Sequence, residues 1–470
     1  MNQNIFRKYD IRGIYGLDLT DEIIEKIGYA IGSLIVENNS DKSNQIVVIA
    51  RDVRISSPII SEIFIKSICK TGVCIHDLGI QATPVFYHYV KTNNILNGIV
   101  ITGSHNSKDY NGFKLIINGK SFCLDNIKDI YNSVGKKNIK LQSNQCNIKK
   151  IETANQKYCD DLLQRFTYKK NNFKNYKIVI DSGNSVASLT APKVFKDLGC
   201  DVIELHSEID GNFPNHNPDP SDLNNLQDLQ KAVINNNADL GFAYDGDADR
   251  LGVVTSDGNI IFADILLMIF AKELLQKIKK AKILYDVKCT DNLEKVIRQY
   301  GGEPIMCPTG HSIIKNKMRE THALLAGEMS GHFFFSHNWY GFDDAIYASV
   351  KLLDILANNS EYENLTLKEV VNKFYNKKIS TPEISIYYPD SNKNILIENI
   401  IKNSKFENAQ IITIDGLRVE YEDCWGVIRA SNTTPNITLR FEGDNEQSLN
   451  KIKMLFQTEI SKTWPEINLL

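Results

Sequence analysis

Leu240-Gly241-Phe242-Ala243 runs straight into Tyr244-Asp245-Gly246-Asp247-Ala248-Asp249-Arg250. The apolar run is too short for a helix and ends abruptly in polar residues, which reads as a buried strand feeding a loop. The same succession occurs twice more: Gly98–Ile101 enters Thr102–Asn106, and Ala323–Ala326 enters Gly327–His332. Upstream of each lies a β-branched strand ending at a charged residue: Ile46–Ala50 before Arg51, Ile178–Ile180 before Asp181, Ile283–Tyr285 before Asp286. A helix follows (about Pro58–Thr71, Val186–Leu198 and Asn292–Tyr300) and is stopped by Gly72, Gly199 or Gly301. A second strand comes next, Val73–Ile75, Asp201–Leu205 or Glu303–Met306. Alternation alone is common to all α/β chains. Three copies in one register, each ending in a chemically distinctive loop, make an internal repeat, although the copies share negligible identity.

The last hundred residues break this rhythm. A linker near Asn376–Pro382 leads to a helix around Ile395–Asn403, then to strands Gln410–Ile414 and Leu417–Tyr421 joined at Asp415–Gly416, a hairpin signal. Strand Trp425–Ala430 enters the loop Ser431–Asn436, Ile437–Phe441 leaves it, and a helix runs from Glu446 to Ser461. The fold class is therefore α/β: three topologically similar α/β domains, about 1–148, 149–256 and 257–374, and a smaller α+β domain, 375–470. Each domain has a loop to offer to one central cleft.

Composition agrees with a large soluble chain. Its 470 residues carry 54 Lys+Arg against 57 Asp+Glu, with 42% hydrophobic residues. Near-neutral charge excludes a general nucleic-acid binder, though not a small basic pocket for phosphate. The nine cysteines are odd in number and form no C-x-x-C pair, which favours free thiols and a reducing, cytoplasmic setting. The N-terminus lacks an apolar signal core. The most apolar window, Ile260–Ala271, is short and holds Asp264, so it reads as a core helix and not a membrane span. In such a chain the triplet Asn364–Thr366 carries no glycosylation meaning.

Four loops carry chemistry. Alternate carboxylates at Asp245, Asp247 and Asp249 suit a hard divalent cation. A calcium EF-hand begins similarly, but here its sixth and twelfth positions are Arg250 and Ser256, and strands flank the loop. A merely solvated acidic turn would leave three close like charges unneutralised. Thr102-Gly103-Ser104-His105-Asn106 ends a strand, where open α/β sheets meet ligands. Ser104 offers a nucleophile or phosphate carrier. No G-x-S-x-G elbow surrounds it, and His105 points away from Ser104 if the backbone is extended. A lone T-G-S turn is usually structural; Lys114 nearby and the acidic loop give it weight. Arg429-Ala430-Ser431-Asn432-Thr433-Thr434-Pro435 suits a phosphate nest or equally a polar β-turn. Gly327-Glu328-Met329-Ser330-Gly331-His332 supplies groups for sugar hydroxyls and proton transfer.

Taken together with Phe6–Gly13, Tyr110–Lys114, Asp286-Val287-Lys288 and Thr309–Ser312, these loops identify the chain as resembling the α-D-phosphohexomutase superfamily, most closely its bacterial phosphomannomutase/phosphoglucomutase branch. The matching stretches span nearly the whole chain in the family's order. The resemblance implies four domains around a cleft and interconversion of hexose 6-phosphate and 1-phosphate through a phosphoserine and a hexose 1,6-bisphosphate. It makes Ser104 the phosphoserine, with Asp245, Asp247 and Asp249 binding Mg²⁺ beside it. Glu328 and Ser330 would hold sugar hydroxyls; Arg429, Ser431, Asn432 and Thr433 would grip the non-reacting phosphate. Tyr9, Arg12, Lys114, Arg250, Lys288, His311 and His332 match cleft-lining positions, with His332 or Lys114 as candidate base. The implied partners are mannose and glucose phosphates, with no nucleic acid or membrane, acting as a monomer or weak dimer. Met329 resembles the dual-specificity branch, whereas phosphoglucosamine mutases often carry a polar residue there. Ser107 departs from the Pro of many relatives. A phosphoglucosamine mutase, a metal-dependent sugar phosphatase and a non-catalytic sugar-phosphate binder are the alternative readings.

Overall fold

The computed structural model describes residues 5–39, 41–123, 125–134, 146–166, 173–374, 378–389, 392–432 and 434–469. Three of its four sheets share one plan. In the first, Tyr110–Ile117, Asn97–Ile101, Ile46–Arg51 and Cys74–Ile80 lie side by side in that order. In the second the order is Leu251–Thr255, Leu240–Tyr244, Lys177–Asp181, Asp201–Leu205; in the third, Phe333–Phe335, Leu325–Gly327, Lys282–Asp286, Glu303–Cys307. Numbered along the chain, each is 4-3-1-2: strands 1, 2 and 3 run parallel and strand 4 returns antiparallel. Parallel strands covered on both faces need continuous apolar sequence, which is why strands 1 and 3 stand out in the chain. Each distinctive loop is the turn between strands 3 and 4, so topology carries all three to the same edge of their sheets.

The three glycine stops hold. Gly72, Gly199 and Gly301 adopt φ of 86°, 100° and 82°, the left-handed region that ends helices. The helix expected over Val186–Leu198 is instead a 3₁₀ turn, Val186–Leu189, and a helix, Ala191–Leu198. Pro192 has no N–H to continue a helix from behind and is accommodated only in a first turn. The strand expected at Ala323–Ala326 is Leu325–Gly327, because His322 (φ 57°) caps the preceding helix and Ala323 still belongs to that cap. The window around Ile260–Ala271 contains a short strand, Ile260–Ile261, and then the helix Ala263–Lys277, buried on nearly every face. No helix among the described residues is long and apolar enough to cross a membrane.

The expectation of free thiols holds for seven cysteines and fails for two: Cys69 and Cys146 form a disulfide. They are 77 residues apart, and only the parallel pairing of Ile148–Lys150 on Cys74–Ile80 brings them together.

The last sheet is antiparallel, with Asn436–Gly443, Cys424–Ala430, Leu417–Glu420 and Gln410–Ile412 adjacent in order. It docks on the third domain through two buried guanidinium groups. Arg440 pairs with Asp264 at 2.7 Å, and Arg418 lies over Trp425 while donating to the carbonyls of Val287 (2.6 Å) and Cys289 (2.7 Å). Breaking a buried pair by removing one partner costs about 3–5 kcal/mol, so this joint is firm.

Candidate active site

The serine loop is cast around one buried arginine. Arg54 pairs with Asp52 at 3.1 Å and donates to the carbonyls of Ser104 (2.7 Å), Asn106 (2.5 Å), Tyr110 (3.0 Å) and Ser107. Asp52 also accepts the Gly103 N–H at 3.0 Å. A Cβ at Gly103 would stand 2.5 Å from Arg54 Nε, so only glycine lets the loop close on the guanidinium. Ser104 adopts φ 49°, and this corrects the reading of His105. The backbone is left-handed here, not extended, and the imidazole returns to place Nδ1 3.3 Å from Ser104 Oγ. Because Arg54 grips the Ser107 carbonyl, the serine at that position leaves the loop fixed.

The acidic loop closes on the serine. A Cβ on Gly246 would lie 2.3 Å from the Ser104 carbonyl oxygen. Ser104 Oγ donates to Asp245 Oδ2 at 2.8 Å, while Asp245 Oδ1 accepts the N–H groups of Asp249 (3.0 Å) and Arg250 (3.1 Å). Asp247 Oδ2 accepts from Thr83 Oγ1 and Lys114 Nζ, each at 2.6 Å, and Lys114 also pairs with Asp249. The three carboxylates are fully buried and offer oxygens within 4.8 Å of one another. Two ionised groups at that separation repel by about 3 kcal/mol at an effective dielectric of about 20. Burial, and then the charges of Asp247 and Asp249, accordingly push the Asp245 carboxyl well above its ordinary range. Burial opposes the Lys114 charge, but the carboxylates around it outweigh burial and hold its ammonium above the ordinary value. One oxygen each of Asp247 and Asp249 is buried with no hydrogen-bond partner. An all-oxygen set with unused lone pairs fits a hard divalent cation such as Mg²⁺.

The facing wall comes from the third domain. Leu251 N–H donates to the Gly331 carbonyl at 3.0 Å, zipping the two loops together beside Arg250 and His332. Arg250 Nε donates to His332 Nε2 at 3.0 Å, so the His332 proton resides on Nδ1, which faces Asp249 and Asp343 at 3.4 Å each. His311 stacks on His332, with Nδ1 3.3 Å from Asp343 and 3.2 Å from Lys315 Nζ. Burial, and then the neighbouring cations, hold both imidazoles well below their ordinary pKa, hence uncharged. Glu328 accepts the Gly310 N–H at 2.7 Å, and its other oxygen is buried without a partner. Burial and the nearby Asp286 push its carboxyl up to about 8.

At the mouth, Arg429 Nε binds Asp415 at 2.9 Å, and one terminal nitrogen of Arg429 is buried and unused. Asp415 also accepts the Thr309 N–H at 3.0 Å. The Tyr9 hydroxyl donates to the Thr309 carbonyl and accepts from Asn432 Nδ2, joining the first, third and fourth domains at one oxygen. Ser431 Oγ accepts from Thr434. Arg12 binds Asp10 and Asn106, beside the serine loop. Lys288 is paired with Glu383, and Ser330 is half-buried in its turn. Thr433 lies outside the described residues.

Four domain profiles of one family match in chain order: phosphoglucomutase/phosphomannomutase alpha/beta/alpha domain I over residues 3–140, domain II over 156–258, domain III over 262–377, and the C-terminal domain over 388–458. The chain belongs to the phosphoglucomutase/phosphomannomutase family. It is 42% identical over 468 residues to a phosphomannomutase/phosphoglucomutase of Pseudomonas syringae pv. tomato, covering 99% of this chain and 97% of that one. It is 42% identical over 469 residues to a phosphoglucomutase of Neisseria meningitidis serogroup A, covering 98% and 99%. A crystal structure of a phosphoglucomutase/phosphomannomutase family protein from Burkholderia thailandensis superposes with a TM-score of 0.88 at 39% identity, covering 100% of this chain and 99% of that one.

Several groups at this phosphoglucomutase/phosphomannomutase-type site escaped the sequence reading. Arg54 and Asp52 support the serine loop, Thr83 orients Asp247, and Asp343 with Lys315 holds the two histidines. The Arg51-Asp52-Val53-Arg54 cluster at a strand end was a usable signal. Asp343 had none, since its partners are 11 to 32 residues away in sequence and meet it only through the third sheet.

Proposed function

We propose that this family member moves a phosphoryl group between O1 and O6 of mannose and glucose phosphates, with Ser104 as the carrier and a hexose 1,6-bisphosphate as intermediate. The observation that carries the reading is the 2.8 Å contact of Ser104 Oγ with Asp245, the first of three buried carboxylates. Asp245, Asp247 and Asp249, with the phosphoryl oxygens on Ser104, would hold Mg²⁺, which when bound neutralises charge on the group being transferred. In the first half-reaction the bond from Ser104 Oγ to phosphorus breaks as a bond to the free sugar hydroxyl forms. The hydroxyl proton goes to His332 Nε2. Of the two candidate bases His332 is the uncharged one, and its lone pair is released when Arg250 turns to the phosphoryl oxygens. Ser104 Oγ takes up one proton for the one that His332 receives and passes back to solvent, so the half-reaction exchanges a phosphoryl group for a proton, with His105 Nδ1 alongside Ser104. The sugar then turns over, and its other phosphate returns to Ser104.

Remote binding energy sustains this chemistry. The unused nitrogen of Arg429, with Ser431, Asn432 and Thr433, receives the phosphate that is not reacting. Glu328 and Ser330 meet the hydroxyls at C3 and C4, which mannose and glucose share. A site that does not bond the C2 hydroxyl discriminates weakly between the epimers. The test is a coupled assay of mannose 1-phosphate and glucose 1-phosphate with trace bisphosphate, alongside an assay for inorganic phosphate. Turnover of both sugars within about a thousandfold in kcat/KM is expected. Steady phosphate release, preference for the glucosamine substrate, or full activity in Ser104→Ala would overturn the reading.

A further inference from the structure

Behind the acidic loop the second domain holds a separate cluster. Asp181 ends strand Lys177–Asp181, His206 follows strand Asp201–Leu205, and His216 lies in the long connection beyond. The three offer ligand atoms within 4.8 Å of one another. His216 Nδ1 is 2.8 Å from the Asn217 carbonyl, which only accepts, so Nδ1 carries the proton. Its Nε2 is then 3.0 Å from Asp181 Oδ2, a lone pair facing a carboxylate unless a cation or a proton lies between them. Asp181 keeps Oδ2 for that purpose, because Oδ1 accepts the Gly183 N–H at 2.9 Å. His206 Nε2 is sealed from solvent and makes no hydrogen bond; the half-exposed carboxylate of Asp228 is 3.6 Å away. A proton between His216 and Asp181 would leave His206 unserved. A metal ion serves all three.

The backbone around the cluster is already fixed. Asn184 donates its N–H to the His206 carbonyl (2.7 Å) and its amide to the Glu208 carbonyl (2.8 Å), while Asn215 donates to the Asn184 side chain (2.8 Å). One asparagine therefore ties together the segments bearing both histidines. A ring nitrogen donating to a carbonyl while the other faces the ion is the usual support of a metal-bound histidine.

We propose that Asp181, His206 and His216 form a second metal site, distinct from the oxygen-only loop, for a borderline divalent ion such as Zn²⁺ or Co²⁺, with Asp228 closing the solvent side. Two imidazoles and a carboxylate suit those ions, whereas Mg²⁺ prefers oxygen. The next residue but one after His216 is Pro218, whose carbonyl accepts the Gly246 N–H at 3.1 Å. The bound ion thus braces the acidic loop from behind.

Co²⁺ is the probe, added to chelator-treated full-length protein in excess Mg²⁺. The expected result is one equivalent of Co²⁺ with a visible ligand-field band. It persists in Asp247→Asn and weakens about tenfold or more in His206→Asn, a change that keeps a residue tolerant of the φ of 47° found there. On the unaltered protein, Cu²⁺ with ascorbate followed by peptide mass spectrometry should oxidise His206 and His216 first. A band abolished by Asp247→Asn and indifferent to His206→Asn, no stoichiometric band, or oxidation confined to other histidines would overturn the site.

Discussion

Asp245, Asp247 and Asp249 crowd three buried carboxylates beside one lysine, so charge and shape can be separated at a single position. The alternate aspartates were legible because three close carboxylates demand a cation whatever the fold. His105 points away from Ser104 only on an extended backbone, and the left-handed φ at Ser104 that turns it back is invisible in sequence. Arg54 and Asp343 work through partners brought in by neighbouring strands, so their roles appear only in three dimensions. Asp247→Asn keeps an oxygen for Thr83 and Lys114, yet removes one charge from the proposed metal site. Its turnover at saturating Mg²⁺ should fall about a hundredfold or more, with its Tm nearly unchanged; steady-state assays and a thermal melt check both. Glu328 gives a pH signature. Its folded carboxyl titrates near 8, above the roughly 4.3 of an unfolded chain, so its contribution is fully present below pH 4 and lost as pH rises through 8. Glu328→Gln cannot ionise. Melts between pH 5 and 8 should show the natural protein losing stability relative to the variant, by at most about 1.4 kcal/mol per pH unit.

At the scale of elements, strands 1 and 3 of each repeat were visible as apolar runs, the glycine stops as helix ends, and the second strands by their place just after those stops. The returning fourth strands were not: Tyr110–Ile117 and Leu251–Thr255 interleave polar or small residues, and Phe333–Phe335 is only three residues long. The break before Ala191 is legible in Pro192, which fits only the first turn of a helix. What topology adds is the position of the turns, all between strands 3 and 4. That geometry leaves no room where two turns meet. In Gly246→Ala the new methyl meets the Ser104 carbonyl at 2.3 Å, and one loop must retreat. The expected cost is about 1–3 kcal/mol of stability with a loss of turnover far larger than any change in KM, read from a denaturant melt beside kinetics.

For the whole molecule, the shared cleft was foreseeable from four strand-end loops, but the joints were not. Tyr9 gathers three domains at one hydroxyl, and Arg418 and Arg440 anchor the last domain to the third. On the role proposed for Arg429, Arg429→Ala should raise KM and lower kcat together, and should leak hexose 1,6-bisphosphate, because the same grip would keep the intermediate during its turn; chromatography of the reaction mixture tests this. The lysine between Asp247 and Asp249 has one more consequence. With its ammonium lodged between two of the three acids, the protein carries an internal stand-in for the ion it would use, so demetallation leaves the acidic cluster partly neutralised. Exhaustive EDTA treatment should therefore give a protein that is silent in the mutase assay yet melts cooperatively within a few degrees of the Mg²⁺-loaded form. Activity should return within the mixing time when Mg²⁺ is restored, with no refolding lag.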